Sequence, residues 1–259
     1  MSVRKKFKYI YGPVPSWRVG SSLGIDLLSQ KEKICSFDCL YCQLGKSFIL
    51  SDVRQLFVPE DEIIRELYAL PETPIDYITI SGRGEPTLAD NLGNAISAIK
   101  SCRKEPVAVI TNSSLINKPD VRDELSRADF VIAKLDASSQ ESLILINQPH
   151  KGIKFEAIVE GLRNFRKQFK GKLALQIMFM ENNKQYAEEM AFIADDIHPD
   201  EVQINTPLRP CGAAPLGVEE LSRIKGFFGR FKTVSVYESN KKIVKPISDD
   251  DTLRRRGKC

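Results

Sequence analysis

Histidine is nearly absent from the chain, with His150 and His198 the only two, and tryptophan occurs once, at Trp17. No run of 18 apolar residues occurs, which argues against a membrane-spanning helix. Residues 1–17 carry charge but no apolar stretch before Gly12 and Pro13 interrupt them, so they do not read as a secretory leader. The six cysteines lack the spacing of a secreted disulfide scaffold. Three fall between Cys35 and Cys42, and Cys102, Cys211 and Cys259 are scattered. A soluble, reducing, cytoplasmic setting is expected. An excess of one charge is missing as well: 38 Lys plus Arg against 34 Asp plus Glu leave a net charge of +4, which by itself announces no polyanionic partner.

What is present begins with size. A chain of 259 residues with 42% hydrophobic composition buries roughly 70–75% of the surface it would expose unfolded, enough for one large core without disulfides or metal. Hydrophobic runs alternate with helical patterns after residue 60, as repeated βα units do. Strands are expected at 23–29, 76–80, 106–111, 129–135, 173–180, 201–205 and 232–238. Helices are expected at 60–70, 88–102, 117–127, 153–169, 184–197 and 218–228. Strands that are apolar throughout imply an α/β fold with a mainly parallel sheet, open or closed into a barrel. No second domain is required over 1–259; residues 1–22 are expected to pack across the barrel, and 241–259 form a basic tail.

Polar segments that follow strands share one rim of such a sheet: the cysteine loop, Gly82-Arg83-Gly84-Glu85, Asn112-Ser113-Ser114, Asp136, Glu181-Asn182 and Asn205-Thr206. Cys35-Ser-Phe-Asp-Cys39-Leu-Tyr-Cys42 brings three thiolates close enough to ligate three corners of a cubane iron-sulfur cluster, leaving the fourth iron to another donor. Structural zinc requires four ligands, which Cys102 or Cys211 would have to complete, the histidines being remote. Unliganded structural cysteines are the third reading. Phe37 and Tyr41 give the loop apolar flanks.

The spacing C-x3-C-x-aromatic-C resembles that of the radical S-adenosylmethionine (SAM) enzymes. Tyr11-Gly-Pro-Val-Pro-Ser-Trp-Arg18, Ser21-Ser-Leu-Gly-Ile-Asp26 and Cys42-Gln-Leu-Gly45 resemble a narrower group, iron-sulfur oxidoreductases related to the wyosine tRNA-modifying enzymes. The resemblance runs from about Tyr9 to Pro210. It implies a partial (β/α)6, TIM-like barrel, a [4Fe-4S] cluster on Cys35, Cys39 and Cys42, and SAM on the open iron. It further implies one-electron cleavage of SAM to a 5'-deoxyadenosyl radical that abstracts hydrogen from substrate, and a reducing partner such as flavodoxin or ferredoxin.

Within that resemblance, Ser81 to Leu88 is similar to the superfamily's glycine-glycine-glutamate segment, so Gly82, Gly84 and Glu85 are expected at the methionine amine of SAM; a plain glycine turn is the alternative. Asn112 and Ser113 offer short polar groups to the cofactor, though either could be a helix cap. Glu181 and Asn182 are candidates for its ribose hydroxyls, and Tyr41 flanks it. Lys134 and Asp136 point to one side of a strand and form a charge pair. In the wyosine-forming relatives a lysine is thought to condense with pyruvate, which gives Lys134 a catalytic reading beside salt-bridging and structural ones. Arg18 and Arg83 are able to grip a carboxylate or phosphate in a planar fork.

Cys211, in a proline-bounded loop, is either a hydrogen-atom donor, a ligand of a second cluster, or an inert small hydrophobe. Arg4, Lys5, Lys6 and Lys8, with Lys241, Lys242, Lys245, Arg254, Arg255, Arg256 and Lys258, make the two ends basic, either a phosphate-binding rim or solvated termini. Thr252 to Arg256 reads as the opening of a further helix. The favoured substrate is a nucleoside in tRNA. The alternatives are a small metabolite or activation of a protein partner, and, outside catalysis, an iron-sulfur electron carrier or sensor.

Overall fold

The structure, a computed structural model, describes residues 7–240 and 242–256. The chain opens with β1 (Ile10–Ser16) and β2 (Gly20–Ile25), followed by two short strands, β3 (Ile34–Cys35) and β4 (Ile49–Leu50), around the cysteine loop. Helix α1 (Glu60–Tyr68) leads to β5 (Tyr77–Ile80), α2 (Leu92–Cys102) to β6 (Val107–Thr111), and α3 (Pro119–Leu125) to β7 (Phe130–Lys134). Two helices, α4 (Gln140–Asn147) and α5 (Phe155–Gln168), precede β8 (Lys172–Met178); α6 (Ala187–Ile197) precedes β9 (Glu201–Asn205), and α7 (Val218–Phe227) precedes β10 (Thr233–Ser235). Helix α8 (Asp249–Arg256) ends the described chain.

Eight strands form one sheet in the order β1-β2-β5-β6-β7-β8-β9-β10. Every neighbouring pair is parallel except β1 with β2. The two ends of the order, β1 and β10, do not pair with each other, so the α/β fold is a partial TIM-like barrel. Strand alternation divides the side chains between two layers. Ile78, Ile80, Val107, Val109, Val131, Leu173, Leu175, Ile177, Val202 and Ile204 join the helices in the main core. Ala108, Phe130, Ile132 and Ala174 form a separate inner cluster with Tyr77 and Ile110 packed on it. Helix α5 shows how the outer layer is made: Phe155, Ile158, Val159, Leu162 and Phe165 recur at helical spacing and are all buried. Each such side chain contributes roughly 1.5–3 kcal/mol by leaving water.

Four differences from the sequence reading have local causes. Residues 10–16, within the segment expected to cross the barrel, form an edge strand with a register shift between Tyr11 and Val14, and edges and bulges are where a sheet tolerates prolines such as Pro13 and Pro15. The first parallel strand ends at Ile25 rather than Ser29, because the Asp26 carboxylate accepts from the Leu28 N–H at 3.2 Å and turns the chain. Helix α4 was not expected; a reciprocal Ser139–Ser142 capping box starts it. The helix expected from 88 begins at Leu92, and Pro86–Leu88 is a separate 3-10 turn capped by Glu85. Among the described residues no helix is long and apolar enough to cross a membrane.

Candidate functional site

The cysteine loop is held from both sides by backbone bonds. Ile34 pairs with Ile49 and makes a bridge to Gly84. Asp38 N–H donates to the Asn147 carbonyl and Leu40 N–H to the Ile146 carbonyl, each at 3.0 Å, which ties the loop to the end of α4. Each of the three sulfurs then meets an N–H donor from a different segment. Asn112 Nδ2 lies 3.7 Å from Cys35 Sγ, Asn147 Nδ2 3.4 Å from Cys39 Sγ, and Lys33 Nζ 3.0 Å from Cys42 Sγ. Burial pushes the Cys35 thiol up to about 12 and the Cys39 thiol up to about 11. Iron bound by these sulfurs would reverse that preference, and the N–H donors would favour the thiolate further. Three sulfurs, each with its own donor, fit a cluster held on one loop. Among the described residues no three His, Cys, Asp or Glu side chains group around a single metal ion.

The glycine turn packs directly behind this loop. Gly84 has φ +150°, and a Cβ there would stand 1.8 Å from the Ile34 carbonyl oxygen. A Cβ on Gly82 would strike the Asp26 carboxylate. Glu85 is buried with both oxygens engaged: Oε1 accepts from the Thr87 N–H (3.0 Å) and from the Thr87 and Thr111 hydroxyls (2.7 and 2.6 Å), and Oε2 from the Asn112 N–H (2.6 Å). Its side chain therefore joins the glycine turn to the end of β6. Asn112 continues the chain of contacts, donating to Ser36 Oγ at 2.8 Å and accepting from the Ser114 N–H at 3.0 Å. Ser113 is buried in the left-handed region, φ 66°, and its hydroxyl has no hydrogen-bond partner among the described residues.

Asp136 is a second centre. Tyr41 Oη donates to its Oδ2 in a short hydrogen bond, Asn147 Nδ2 to the same oxygen at 3.1 Å, Met178 N–H to Oδ1 at 2.8 Å, and Lys134 Nζ stands 3.3 Å from Oδ1. The Lys134 ammonium also lies 4.9 Å from the centre of the Tyr41 ring. The expected Lys134–Asp136 pair is thus formed, and Asp136 orients Tyr41 within the cysteine loop.

Other expected residues fall outside this group. Glu181 and Asn182 are exposed, Glu181 pairing with Lys184 at 2.9 Å; their neighbour Asn183 is the buried one, donating to the carbonyls of Asp136 and Met178 at 2.9 Å each. Arg83 donates to the Gln30 carbonyl at 3.2 Å and does not line the central cavity. Cys211 packs beside Tyr41, Ile146 and Met180 and donates to the Ala213 carbonyl at 3.3 Å, whereas Cys102 bonds the carbonyl of Ile99 on α2. Cys259, Arg4, Lys5, Lys6, Lys241 and Lys258 lie outside the described residues. Asn147, Asn183 and Arg209 escape sequence reading because each acts through a contact across the fold, and Lys33 because a lysine facing a nearby thiol has no spacing signal. The Ser139–Ser142 cap was the one available signal for the helix that carries Asn147.

At the rim a cavity of about 360 Å³ opens between the β1–β2 turn, the cysteine loop and the ends of the strands, lined by Tyr41, Cys42, Gly82, Lys134, Gln176 and Asn205 among others. Such a volume suits a small ligand or part of a larger one. Helix α8 closes one side. The Arg255 side chain is buried, its Nε 3.5 Å from Asp26 Oδ2, and it lies against the Tyr11 ring. Burial raises Asp26 from 3.8 to about 6 against the pull of Arg255. Between about pH 4 and 6 the folded chain therefore holds a proton that the unfolded chain has lost, and stability falls as pH rises through that window. In Asp26→Asn this slope in melting temperature is expected to disappear; a slope unchanged from wild type would assign it to another group.

Comparison with known proteins places this geometry. The model of the Radical SAM superfamily matches residues 33–193. The UPF0026 protein slr1464 of Synechocystis sp. is 44% identical over 205 residues, 79% of this chain and 77% of that protein. Streptococcus suis SuiB bound to S-adenosylmethionine superposes with a TM-score of 0.64 at 13% identity, over 84% of this chain and 50% of SuiB, so the chain spans half the length of that protein. Archaeal TYW1 gives a TM-score of 0.57 at 13% identity, over 83% of this chain and 74% of TYW1. At these identities the likeness to the solved structures is one of fold.

Proposed function

The chain belongs to the radical SAM superfamily of S-adenosylmethionine-binding enzymes, within it to the UPF0026 proteins, and on that premise we propose that it carries a [4Fe-4S] cluster on Cys35, Cys39 and Cys42 and acts on a nucleoside in tRNA. The observation that carries the cluster assignment is the set of three sulfurs on one loop, each facing its own N–H donor. The chemistry supplied by a bound cluster and SAM is one-electron cleavage of the carbon-sulfur bond, by which a hydrogen atom is taken from substrate.

The protein's own residues prepare the site. Gly84 brings backbone against the strand that carries Cys35 and Gly82 brings it against Asp26, in each case where a side chain would not fit, and these two are the residues assigned to receive the methionine end of SAM. Glu85 acts as a positioning residue, because its four accepted hydrogen bonds fix Asn112 beside Cys35. The free hydroxyl of Ser113 and the amide of Asn112 are the polar groups offered to the cofactor at that strand end. Asp136 holds the Tyr41 hydroxyl and keeps the Lys134 ammonium at the cavity wall, where it is placed to neutralise an anionic or carbonyl group of substrate.

A tRNA substrate is supported by the resemblance of the Tyr11–Arg18 and Cys42–Gly45 segments to the wyosine-related group and by the basic residues Arg18, Arg209 and Arg256 that line the cavity. Mass spectrometry of tRNA nucleosides from cells lacking the gene, against complemented cells, tests this. A modified nucleoside missing from the first and restored in the second is expected; identical profiles would refute the tRNA substrate. A reduced flavodoxin or ferredoxin is the electron donor in this reading.

A further inference from the structure

The cavity is lined by Arg18, Lys134, Arg209, Arg255 and Arg256, and by no carboxylate among the described residues. Lys134 is paired with Asp136 and Arg255 with Asp26. Among the described residues Arg18 and Arg209 have no carboxylate within ion-pair distance, in contrast to the similarly enclosed Arg54, Arg103 and Arg166, which bond Glu124, Glu105 and Asp200. Arg18 Nε is buried without a hydrogen-bond partner, and its guanidinium lies 4.4 Å from the centre of the Trp17 ring. Arg209 is aimed by two neutral acceptors, Gln43 Oε1 at 2.9 Å and the Arg256 carbonyl at 3.0 Å, which fix its fork without neutralising it. Burial and the nearby charges of Arg209 and Arg256 pull Arg18 down to about 9, so at neutral pH it remains a cation among cations.

A half-enclosed cavity that gathers guanidinium groups and supplies no acid is complementary to a multiply charged anion. Two planar forks suit phosphate, whose several oxygens accept from both, better than a single carboxylate. We infer that Arg18 and Arg209 form a subsite for a phosphate group of a nucleotide substrate, carried either by a free nucleotide or by RNA, with Trp17 as its aromatic wall. This deepens the reading above and rests on it for the identity of the substrate, but not for the binding of the anion.

The single tryptophan of the chain makes the test direct, because Trp17 stacks on the arginine concerned. Reconstituted protein is titrated with inorganic pyrophosphate at fixed ionic strength, without reductant, and tryptophan fluorescence is followed. A saturable change is expected, absent with chloride and weakened tenfold or more in Arg18→Gln and in Arg209→Gln, two variants that perturb the fold at different places. No saturable change, or affinities unaltered in both variants, would overturn the subsite. Competitive displacement of pyrophosphate by SAM would also overturn it, since the anion would then be the cofactor's carboxylate. Displacement by tRNA at concentrations below those of free nucleoside monophosphates assigns the phosphate to RNA, and the reverse order to a free nucleotide. SAM cleavage is assayed separately, so failure of the anion subsite and failure of the radical SAM reading give different results.

Discussion

Cys39→Ala, reconstituted anaerobically with iron and sulfide, is expected to retain little of the roughly four irons per chain that a [4Fe-4S] cluster requires and to form no measurable 5'-deoxyadenosine from SAM. Loss of a residue that only supports a metal ligand typically costs about 10–100-fold; loss of one of three ligands on a single loop is expected to exceed that. The variant is also informative about folding. Cys39 packs partly buried against the core, and the loop around it is held by backbone bonds to residues 146 and 147 that the substitution leaves intact. The melting temperature without iron is therefore expected to change little, separating loss of the cluster from loss of the fold. Cys102→Ala serves as control: its thiol bonds its own helix through the Ile99 carbonyl, and iron content and SAM cleavage should equal wild type. Equal iron loss in both variants would contradict the assignment of Cys39.

Gly84→Ala is expected to destabilise the protein by about 3 kcal/mol or more, beyond the usual range for a surface change. The reason is double. At φ +150° the backbone occupies a region that L side chains rarely adopt, and the added Cβ meets a backbone carbonyl, Ile34 O, at 1.8 Å. A flexible side chain could step aside; a carbonyl in the strand that carries Cys35 cannot do so without moving the cysteine itself. The melting temperature is expected to fall by about 6–12 °C, with SAM binding weakened in parallel. A variant with unchanged stability and SAM affinity would show that the turn does not need the close approach described here.

The βα order was legible in the sequence wherever alternation and helical spacing act locally. Strand 201–205 and the apolar stripe of α5 are of this kind. β1 was hidden because Gly12, Pro13 and Pro15 break the apolar pattern, and its partner β2 supplies the register. α4 was hidden because Ile144 and Leu145 on its outer side are exposed, which blurs the amphipathic period, and its cap is two serines.

The site divides along the same line. Cys35, Cys39 and Cys42 are neighbours in sequence, as are Lys134 and Asp136, so their association could be read directly. Lys33 is also close to Cys42, yet a lysine facing a thiol carries no spacing signal. Asn147 reaches Cys39 across 108 positions and Arg255 reaches Asp26 from far along the chain; both depend on how the sheet curls. Glu181 and Asn182 show the limit in the other direction: the segment follows β8 as expected, but the phase of a short turn points Asn183 inward instead.

The central claim is that the three-cysteine loop and the glycine turn behind it serve reductive cleavage of SAM. The direct measurement is anaerobic incubation of fully reconstituted wild-type protein with SAM and a strong one-electron reductant, with 5'-deoxyadenosine quantified by mass spectrometry. Formation of 5'-deoxyadenosine that requires both the cluster and the reductant is the expected result. SAM recovered intact, with the cluster fully loaded and reduced and with tRNA present, would contradict the account.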